Sequence, residues 1–380
     1  MKIGIEGQRL FRAKKHGMDF VALELIRNIQ KLDKENEYFV FVKPDEDRCL
    51  ESTDNVKIIE LEGGLFPIWE QIALPKAVKS YGCDLIHCTS NTAPNFGSIP
   101  LILTLHDIFF LETFSLFTKS YSLYQRFGNT YRRFTVPPLI HKAKKVITVS
   151  ESEKSRIVHF FKIDEKKVKV IYNGVSDKFH QPVSEEEKIR IKELYGLPER
   201  YIFHLGNTDP KKNTERVVEA YIRYFDMCEH KIPLVMADYP EIMVNLILTN
   251  HGRMDLKKYI YRLDYIVNND LPAIYTMAEI FLYPSLRESF GIPLLEAMSC
   301  GTAVISSNVF AMPEVAEDAA YLIDPANPED LAAAIQELIA HPELRQAYIE
   351  KGLIQSRKFS WQKMAMEYIE VYESIVNKST

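Results

Sequence analysis

The sequence predicts an α/β protein built from two doubly wound parallel sheets. Short apolar runs of strand length alternate with stretches of helical period, and the alternation starts afresh in the second half of the chain. Most strand runs are apolar at successive positions, as strands buried on both faces are.

The elements follow in order. MKIGIE reads as a strand, and FVALELIRNIQKL as a helix with apolar residues at spacings of three and four. EYFVFV, VKIIEL, DLIHCT, LILTLHD, KVITVS and VKVIYN read as strands. ESEKSRIVHFF is a helix capped by Ser150. QPVSEEEKIRIKELYGLPER is polar and helical and reads as a connector. The pattern then restarts, with YIFHLGN, IPLVMAD, YIYRLDYI, IFLYPS, TAVISS and AYLID as strands. NTERVVEAYIRYF, capped by Asn213 or Thr214, DLPAIYTMA, PLLEAMS and PEDLAAAIQELIA are helices. An amphipathic helix, SWQKMAMEYIEVYESIVNK, closes the chain with Ser360 as its cap. The expected domains are 1–178, 179–357 and a closing helix over 358–380 that crosses back to the first domain.

A chain of 380 residues is long for one core and comfortable for two. Its 46% hydrophobic and 26% charged residues exclude disorder and fibre. A net charge of −5 gives no support to nucleic-acid binding. The five cysteines are irregularly spaced without a CxxC pair, which argues against a zinc site or disulfide framework and for a reducing cytoplasm. The opening MKIGIEGQRL lacks an apolar leader core, and no run of about 18 apolar residues offers a membrane span. Peripheral contact with a membrane surface stays open.

In doubly wound sheets ligands bind beyond the carboxyl ends of the strands, so two such domains place the expected site in a cleft between them. Two loops carry candidate chemistry. SLRESFGI follows the strand IFLYPS, Pro293 fits the first turn of the next helix and Gly301 its C-terminal end. Glu288 thus precedes a helix start and Glu296 lies about one turn into the helix. Unsatisfied N–H groups at a helix start suit a phosphate, and carboxylates suit sugar or ribose hydroxyls. A sugar nucleotide supplies both. Spacing alone is explained as simply by a turn residue and a solvated helix residue. HLGNTDPKKN (204–213) is a strand, a glycine-containing loop and two lysines at a helix entrance. Lysine opposes the dipole there, which an anion between them would relieve. In the first half, His106 and Asp107 end a strand at the same edge.

These segments resemble glycosyltransferase family 4, the retaining enzymes of two Rossmann-like domains called GT-B. WEQIALPK (69–76), DLIHCTSNTAP (84–94), LTLHDIFFLE (103–112), KVITVSESEKSRI (145–157) and VKVIYNGV (168–175) are similar to family segments. So are YIFHLGNTDPKKN (201–213), FLYPSLRESFGIPLLEAMSCGTAVISS (281–307), MPEVAEDAAYLIDP (312–325) and the closing FSWQKM. RESFGIPLLE carries the Glu-x7-Glu signature.

The resemblance implies roles. Glu296 would bind the donor ribose. Glu288 would contact hydroxyls of the transferred sugar, with Ser289, Phe290, Gly291 and Ile292 beside it. Lys212 would neutralise the donor diphosphate with Lys211, next to Gly206 and Asn207. Relatives often carry arginine at the position of Asn207, and glycines where Ala237 and Asp264 stand. His106 would lie close to donor sugar and phosphate. Asp107 would contact substrate or cap the next helix, and Gly17 would stand for a glycine-rich loop. Asn173 and Gly174 read as a hinge for domain closure.

The implied reaction moves a hexose from a nucleotide diphosphate sugar to a glycan or lipid-linked glycan, with retention and without a required metal. The catalytic set is His106, Lys212 and Glu288. The family segments resemble bacterial mannosyltransferases of O-antigen, capsule or exopolysaccharide synthesis, which points to GDP-mannose; a UDP-hexose is the alternative donor. A non-catalytic scaffold that binds sugar nucleotide is the non-enzymatic alternative. Residues 109–145 mix Phe109, Phe110, Phe114, Phe117, Tyr121 and Tyr124 with Lys119, Arg126, Arg132, Arg133, Lys142, Lys144 and Lys145. Such a surface could dock on an anionic membrane or be an ordinary packed helix pair.

Overall fold

The computed structural model describes residues 1–112, 123–229 and 231–376. The chain forms two compact units: Met1–Gly174 with the C-terminal segment from Trp361, and Val175–Ser360.

The first unit holds a seven-stranded sheet of β1 (Lys2–Glu6), β2 (Glu37–Val42), β3 (Val56–Glu60), β4 (Leu85–Cys88), β5 (Leu101–Thr104), β6 (Lys145–Thr148) and β7 (Val168–Val170). Their order is β3-β2-β1-β4-β5-β6-β7, and every pairing is parallel. The order reverses between β1 and β4. The apolar runs are explained by burial on both faces: in β2, Tyr38 to Val42 are all buried. One face packs against the helix Leu123–Lys142 through Val136, Leu139 and Ile140, in a core shared with Trp69, Ile86 and Leu103.

The closing helix Trp361–Val376 belongs to this unit and packs against the helix Gly17–Leu32. Its tyrosines reach into the sheet. Tyr372 Oη hydrogen-bonds His87 Nδ1 at 2.8 Å, His87 Nε2 bonds Thr104 Oγ1 at 2.7 Å, and Tyr368 Oη bonds the same hydroxyl at 3.0 Å. Burial lowers the His87 pKa to about 3, so the ring is neutral and each nitrogen needs a partner.

The second unit holds β8 (Ile202–Leu205), β9 (Leu234–Ala237), β10 (Ile260–Leu263), β11 (Ile280–Tyr283), β12 (Ala303–Ser307) and β13 (Tyr321–Ile323), ordered β10-β9-β8-β11-β12-β13 and parallel throughout. The order reverses between β8 and β11. Its core gathers Ile202, Leu234, Leu282 and Ile305 with Val217 and Tyr221 of the helix Thr214–Met227 and Ile335 of the helix Pro328–Ala340. The chain enters and leaves this unit side by side, with Val175 N–H donating to the Phe359 carbonyl at 3.3 Å.

Some readings change. The polar helix Glu185–Tyr195, already within the expected second domain, is packed into that unit and is not a bare connector, held by Arg190 and Tyr195 on Asp270, each at 2.8 Å. Asn213 precedes the helix Thr214–Met227 but makes no cap bond; its φ is 62° and its amide is used elsewhere. The helices Leu74–Ser80, Glu241–Asn250, Met312–Ala316 and Pro342–Ser356 are additional to the sequence reading.

Tyr372→Phe removes the hydroxyl that satisfies a fully buried imidazole nitrogen. Denaturant unfolding is expected to show about 1–3 kcal/mol lower stability, the cost of leaving a buried polar atom unpaired. An unchanged midpoint would show that the helix docks on ring packing alone.

Candidate active site

The loops after β8 and β11 leave adjacent strands at the reversal of order, where the connections diverge to opposite faces and leave a crevice. Both loops are tied to a third. Leu286 N–H donates to the Lys211 carbonyl at 2.8 Å. The Asn213 amide donates to the carbonyls of Pro284 at 3.0 Å and Pro325 at 2.7 Å. Thr214 Oγ1 donates to the Asn207 carbonyl at 3.1 Å, and Asn207 Oδ1 accepts from Asp209 N–H at 2.9 Å. The Asn207 side chain thus shapes its own turn. A Cβ at Gly206 would stand 2.9 Å from Thr214 Oγ1 and 3.1 Å from His204 Nε2, so the close approach of loop and helix requires glycine.

This scaffold holds Lys212 and Glu288 together. Lys212 Nζ lies 2.6 Å from Glu288 Oε1 and 3.2 Å from Tyr283 Oη, with the Tyr283 ring centroid at 5.0 Å. The side chains are only 18% and 14% exposed, so the pair is largely out of bulk water. Burial raises the Glu288 pKa, but the charges of Lys212 and Lys211 and the Lys212 hydrogen bond outweigh it, and the carboxyl sits below its ordinary value. Lys211 is more exposed and lies 3.6 Å from Asp209.

Glu288 leads into Ser289, buried Phe290 and Gly291, and the helix Ile292–Ser299 begins there with Pro293 in its first turn and no side-chain cap. Gly291 has φ 96°, and a Cβ would lie 2.5 Å from Met312 Cε, so backbone angle and space both demand glycine. Gly301, at φ 73°, terminates the helix, its N–H on the Met298 carbonyl at 3.1 Å.

Glu296 has a different environment. Tyr275 Oη approaches it at 3.5 Å, and burial raises its pKa from 4.5 to about 7 against the pull of Lys178. Lys178 is held by the Asn268 carbonyl at 2.9 Å and the Asn268 side chain at 2.6 Å. The expected boundary at 178 assigned this lysine to the first domain; it belongs to the second unit. Tyr283 lies within the field of both glutamates. Two carboxyls on one loop and helix are therefore shifted in opposite directions, Glu288 down by its lysine partners and Glu296 up by burial.

In the first unit, His106 is buried. Its backbone N–H donates to Asn91 Oδ1 at 2.7 Å, and ring Nε2 lies 3.0 Å from the Thr89 carbonyl. A carbonyl only accepts, so Nε2 carries the proton; burial lowers the ring's pKa, and Nδ1 is left as acceptor. Asp107 Oδ1 accepts from Phe109 N–H at 3.1 Å at the start of the short helix Phe109–Glu112. Gly17 is exposed at the start of its helix, and a Cβ there would meet nothing within 4 Å, so no close approach demands glycine. Lys15 is committed to Asp47, and His16 N–H to Asp19 Oδ2 at 2.9 Å.

Sequence reading missed Tyr283, Asn213 and Lys178 around the second-unit site, and two buried acids in the first unit. Glu6, at the end of β1, accepts from Gln8 N–H at 2.8 Å, and burial raises its pKa. Glu70 lies in the π-helical turn Trp69–Ala73, accepts from Thr92, Tyr131 and Gln71, and burial pushes it to about 7. An acid at the end of the apolar run MKIGIE, and one inside WEQ, were the available signals.

Of the aromatic and basic stretch, Phe114, Phe117, Lys119 and Tyr121 lie outside the described residues. Phe110 is buried, and the Arg132 guanidinium lies 6.0 Å from its ring centroid. Among the described residues no helix is long and apolar enough to cross a membrane, and no three His, Cys, Asp or Glu side chains gather as metal ligands.

A cation and an uncapped helix start beside two carboxylates can hold a diphosphate flanked by hydroxyl-bearing rings. Known proteins similar to this chain are glycosyltransferases. Residues 16–179 match Glycosyltransferase Family 4, and residues 185–354 match Glycosyl transferases group 1. O-antigen chain mannosyltransferase B of Escherichia coli is 29% identical over 273 residues, covering 72% of this chain and 70% of that protein. Sucrose-phosphate synthase from Thermosynechococcus elongatus has the same fold at a TM-score of 0.76 and 18% identity, covering 99% of each chain. HepE of Anabaena in complex with UDP does so at 0.71 and 18%, covering 98% of this chain and 100% of that one. The chain belongs to glycosyltransferase family 4, as a hexosyltransferase of the GT-B fold.

Proposed function

We propose that the chain transfers mannose from GDP-mannose, with retention, to a hydroxyl of a glycan or lipid-linked glycan in cell-surface polysaccharide synthesis. The observation that carries the donor site is the shielded Lys212–Glu288 pair at the strand-order reversal of the second unit. The mannosyltransferase relative supports the choice of sugar and pathway. We place the reaction in the cytoplasm, in keeping with five cysteines that form no disulfide.

In this reading Lys212, with Lys211 and the helix start at Ile292, receives the donor diphosphate. As the bond from the anomeric carbon to phosphate oxygen breaks, negative charge grows on the leaving group and the lysines offset it. The acceptor oxygen bonds the same face of that carbon, and its proton passes to the departing phosphate. Glu288 is a poor proton acceptor, because Lys212 keeps its carboxyl below the ordinary range. It accepts hydrogen bonds from hydroxyls of the transferred sugar and positions Lys212 before the donor arrives. Glu296 accepts from the ribose. His106 is assigned to substrate contact in the first unit, its Nδ1 accepting from a hydroxyl.

Lys212→Ala is expected to lower transfer at least about 100-fold, the scale of removing one group that stabilises developing charge. Full transfer by both Lys212→Ala and Glu296→Ala would overturn the site assignment.

Donor choice is read by thermal shift with GDP-mannose and UDP-glucose. A ligand at about 100 times its dissociation constant stabilises by roughly 2.7 kcal/mol. GDP-mannose is expected to give the larger shift, and a larger UDP-glucose shift would reverse the choice. Binding of either without transfer or hydrolysis would identify a scaffold.

The pKa of Glu296 sets a pH dependence. Ribose hydroxyls favour its ionised form, which is the minority below about 7. Donor affinity should therefore rise about tenfold from pH 6 to pH 8. In Glu296→Gln the affinity should be weaker and flat with pH; a wild-type slope kept in that variant would assign the titration elsewhere.

A further inference from the structure

Parallel neighbouring strands are ordinarily joined by a crossover that contains a helix. Between β4 and β5 there is none: residues 89–100 form an irregular strap back to the start of β5. The sheet face at Ile86 and Leu101 is therefore covered by the strap, the helix Leu74–Ser80 and the end of the helix Leu123–Lys142. These pieces do not close over it. They leave a cavity of about 490 Å³, within the range of small-molecule sites.

The interior and the mouth differ in chemistry. Val78, Ile86, Pro94, Ile99 and Leu101 make the interior apolar. Lys76, Lys79 and Lys142 line the same cavity, and all three are exposed. Among the described residues none of the three pairs with a carboxylate, whereas other exposed lysines such as Lys57 and Lys351 do. Lys142 is aimed by carbonyls: Nζ donates to Asn95 O at 2.9 Å and Pro94 O at 3.5 Å, which fixes the ammonium without neutralising it. No carboxylate enters the cavity lining. Phe96, on the strap at the same mouth, is 80% exposed.

An apolar slot with an uncompensated cationic mouth matches a molecule with an apolar tail and an anionic head. A free phosphate would leave the slot empty, and a neutral apolar ligand would leave three ammonium groups unanswered. We propose that the first unit binds an anionic membrane lipid here, with a tail in the slot and its phosphate on Lys76, Lys79 and Lys142. Phe96 then enters the interfacial layer, where an aromatic ring is favoured. Lysine near an anionic bilayer surface adds attraction that falls with salt. The site would seat the first unit against the membrane that carries a lipid-linked acceptor. To that extent it rests on the acceptor reading above, but it does not depend on the donor.

Vesicle flotation of the full chain tests it. Wild type is expected to float with vesicles of phosphatidylcholine and phosphatidylglycerol, and not with phosphatidylcholine alone. The triple variant Lys76→Gln, Lys79→Gln, Lys142→Gln is expected to lose binding about tenfold or more. Ile99→Trp fills the slot and keeps every charge, and it should also lose binding at least severalfold. Dodecyl phosphate should raise the melting temperature of wild type and inorganic phosphate should not. The nucleotide-sugar thermal shift is measured on each variant; its retention shows an intact second unit, and its absence in wild type would sink the donor reading without touching this one. No flotation of wild type, undiminished flotation of either variant, or an equal shift from inorganic phosphate would overturn the lipid site.

Discussion

The candidate site of the second unit depends on the reversal of strand order between β8 and β11. Connections on either side of the reversal run to opposite faces, so the loops leaving these adjacent strands cannot close over each other. The crevice that results would be a soft spot without cross-ties. Asn213 supplies them, in a left-handed conformation that turns its amide toward two proline carbonyls, Pro284 and Pro325. Asparagine tolerates that conformation better than other side-chain-bearing residues. The backbone bond from Leu286 to Lys211 adds another tie. Lys212 and Glu288 are thus brought together by backbone geometry, and the ion pair itself need not fold the loops. That matters because a desolvated pair is a weak source of stability. What the pair does is fix two charges in place at the crevice.

The strands were legible because both sheets are covered on both faces, which writes continuous apolar runs into the sequence. The helix Pro342–Ser356 was not legible, since only Gly352, Gln355 and Ser356 are buried and no apolar stripe marks it. The helix Glu241–Asn250 hid for the opposite reason. It buries Val244, Ile247 and Leu248 but leaves Ile242, Met243 and Leu246 exposed, so its apolar residues cover the cylinder without a period. Within the site, Glu288 and Glu296 stood out by spacing and resemblance. Their opposite charge environments did not, because the partners are remote: Lys212 is 76 positions from Glu288, and Lys178 lies beyond the expected boundary. A sequence shows which groups are present and rarely which are desolvated together.

The first unit shows the same limit more strongly. Glu6 and Glu70 are nearly inaccessible, each is fed by several donors, and the charge of Glu6 adds to the burial that raises Glu70. Nothing in the spacing of positions 6 and 70 suggests it. They converge because β1 and β4 are neighbours at the reversal of the first sheet, and because a π-helical turn carries Glu70 inward to Thr92 in the loop after β4. Such turns recur where side-chain direction matters more than helix regularity.

The replacement of an expected arginine by Asn207 gains a physical meaning from the second-unit loop. Arginine there would bring a planar fork suited to bidentate phosphate recognition. Asn207 instead spends its side chain on the Asp209 N–H, and its carbonyl receives the Thr214 hydroxyl. The loop is then tighter but has one fewer cation. The remaining charge comes from Lys211 and Lys212, whose ammonium groups lack a fork and act as points. A point charge on a flexible stem is useful only if something aims it. Glu288 on one side and the Tyr283 hydroxyl and ring on the other do so for Lys212. The acid of the signature thus acts on the lysine, and the absence of fork geometry is offset by preorganisation of the cation that lies closest to Glu288.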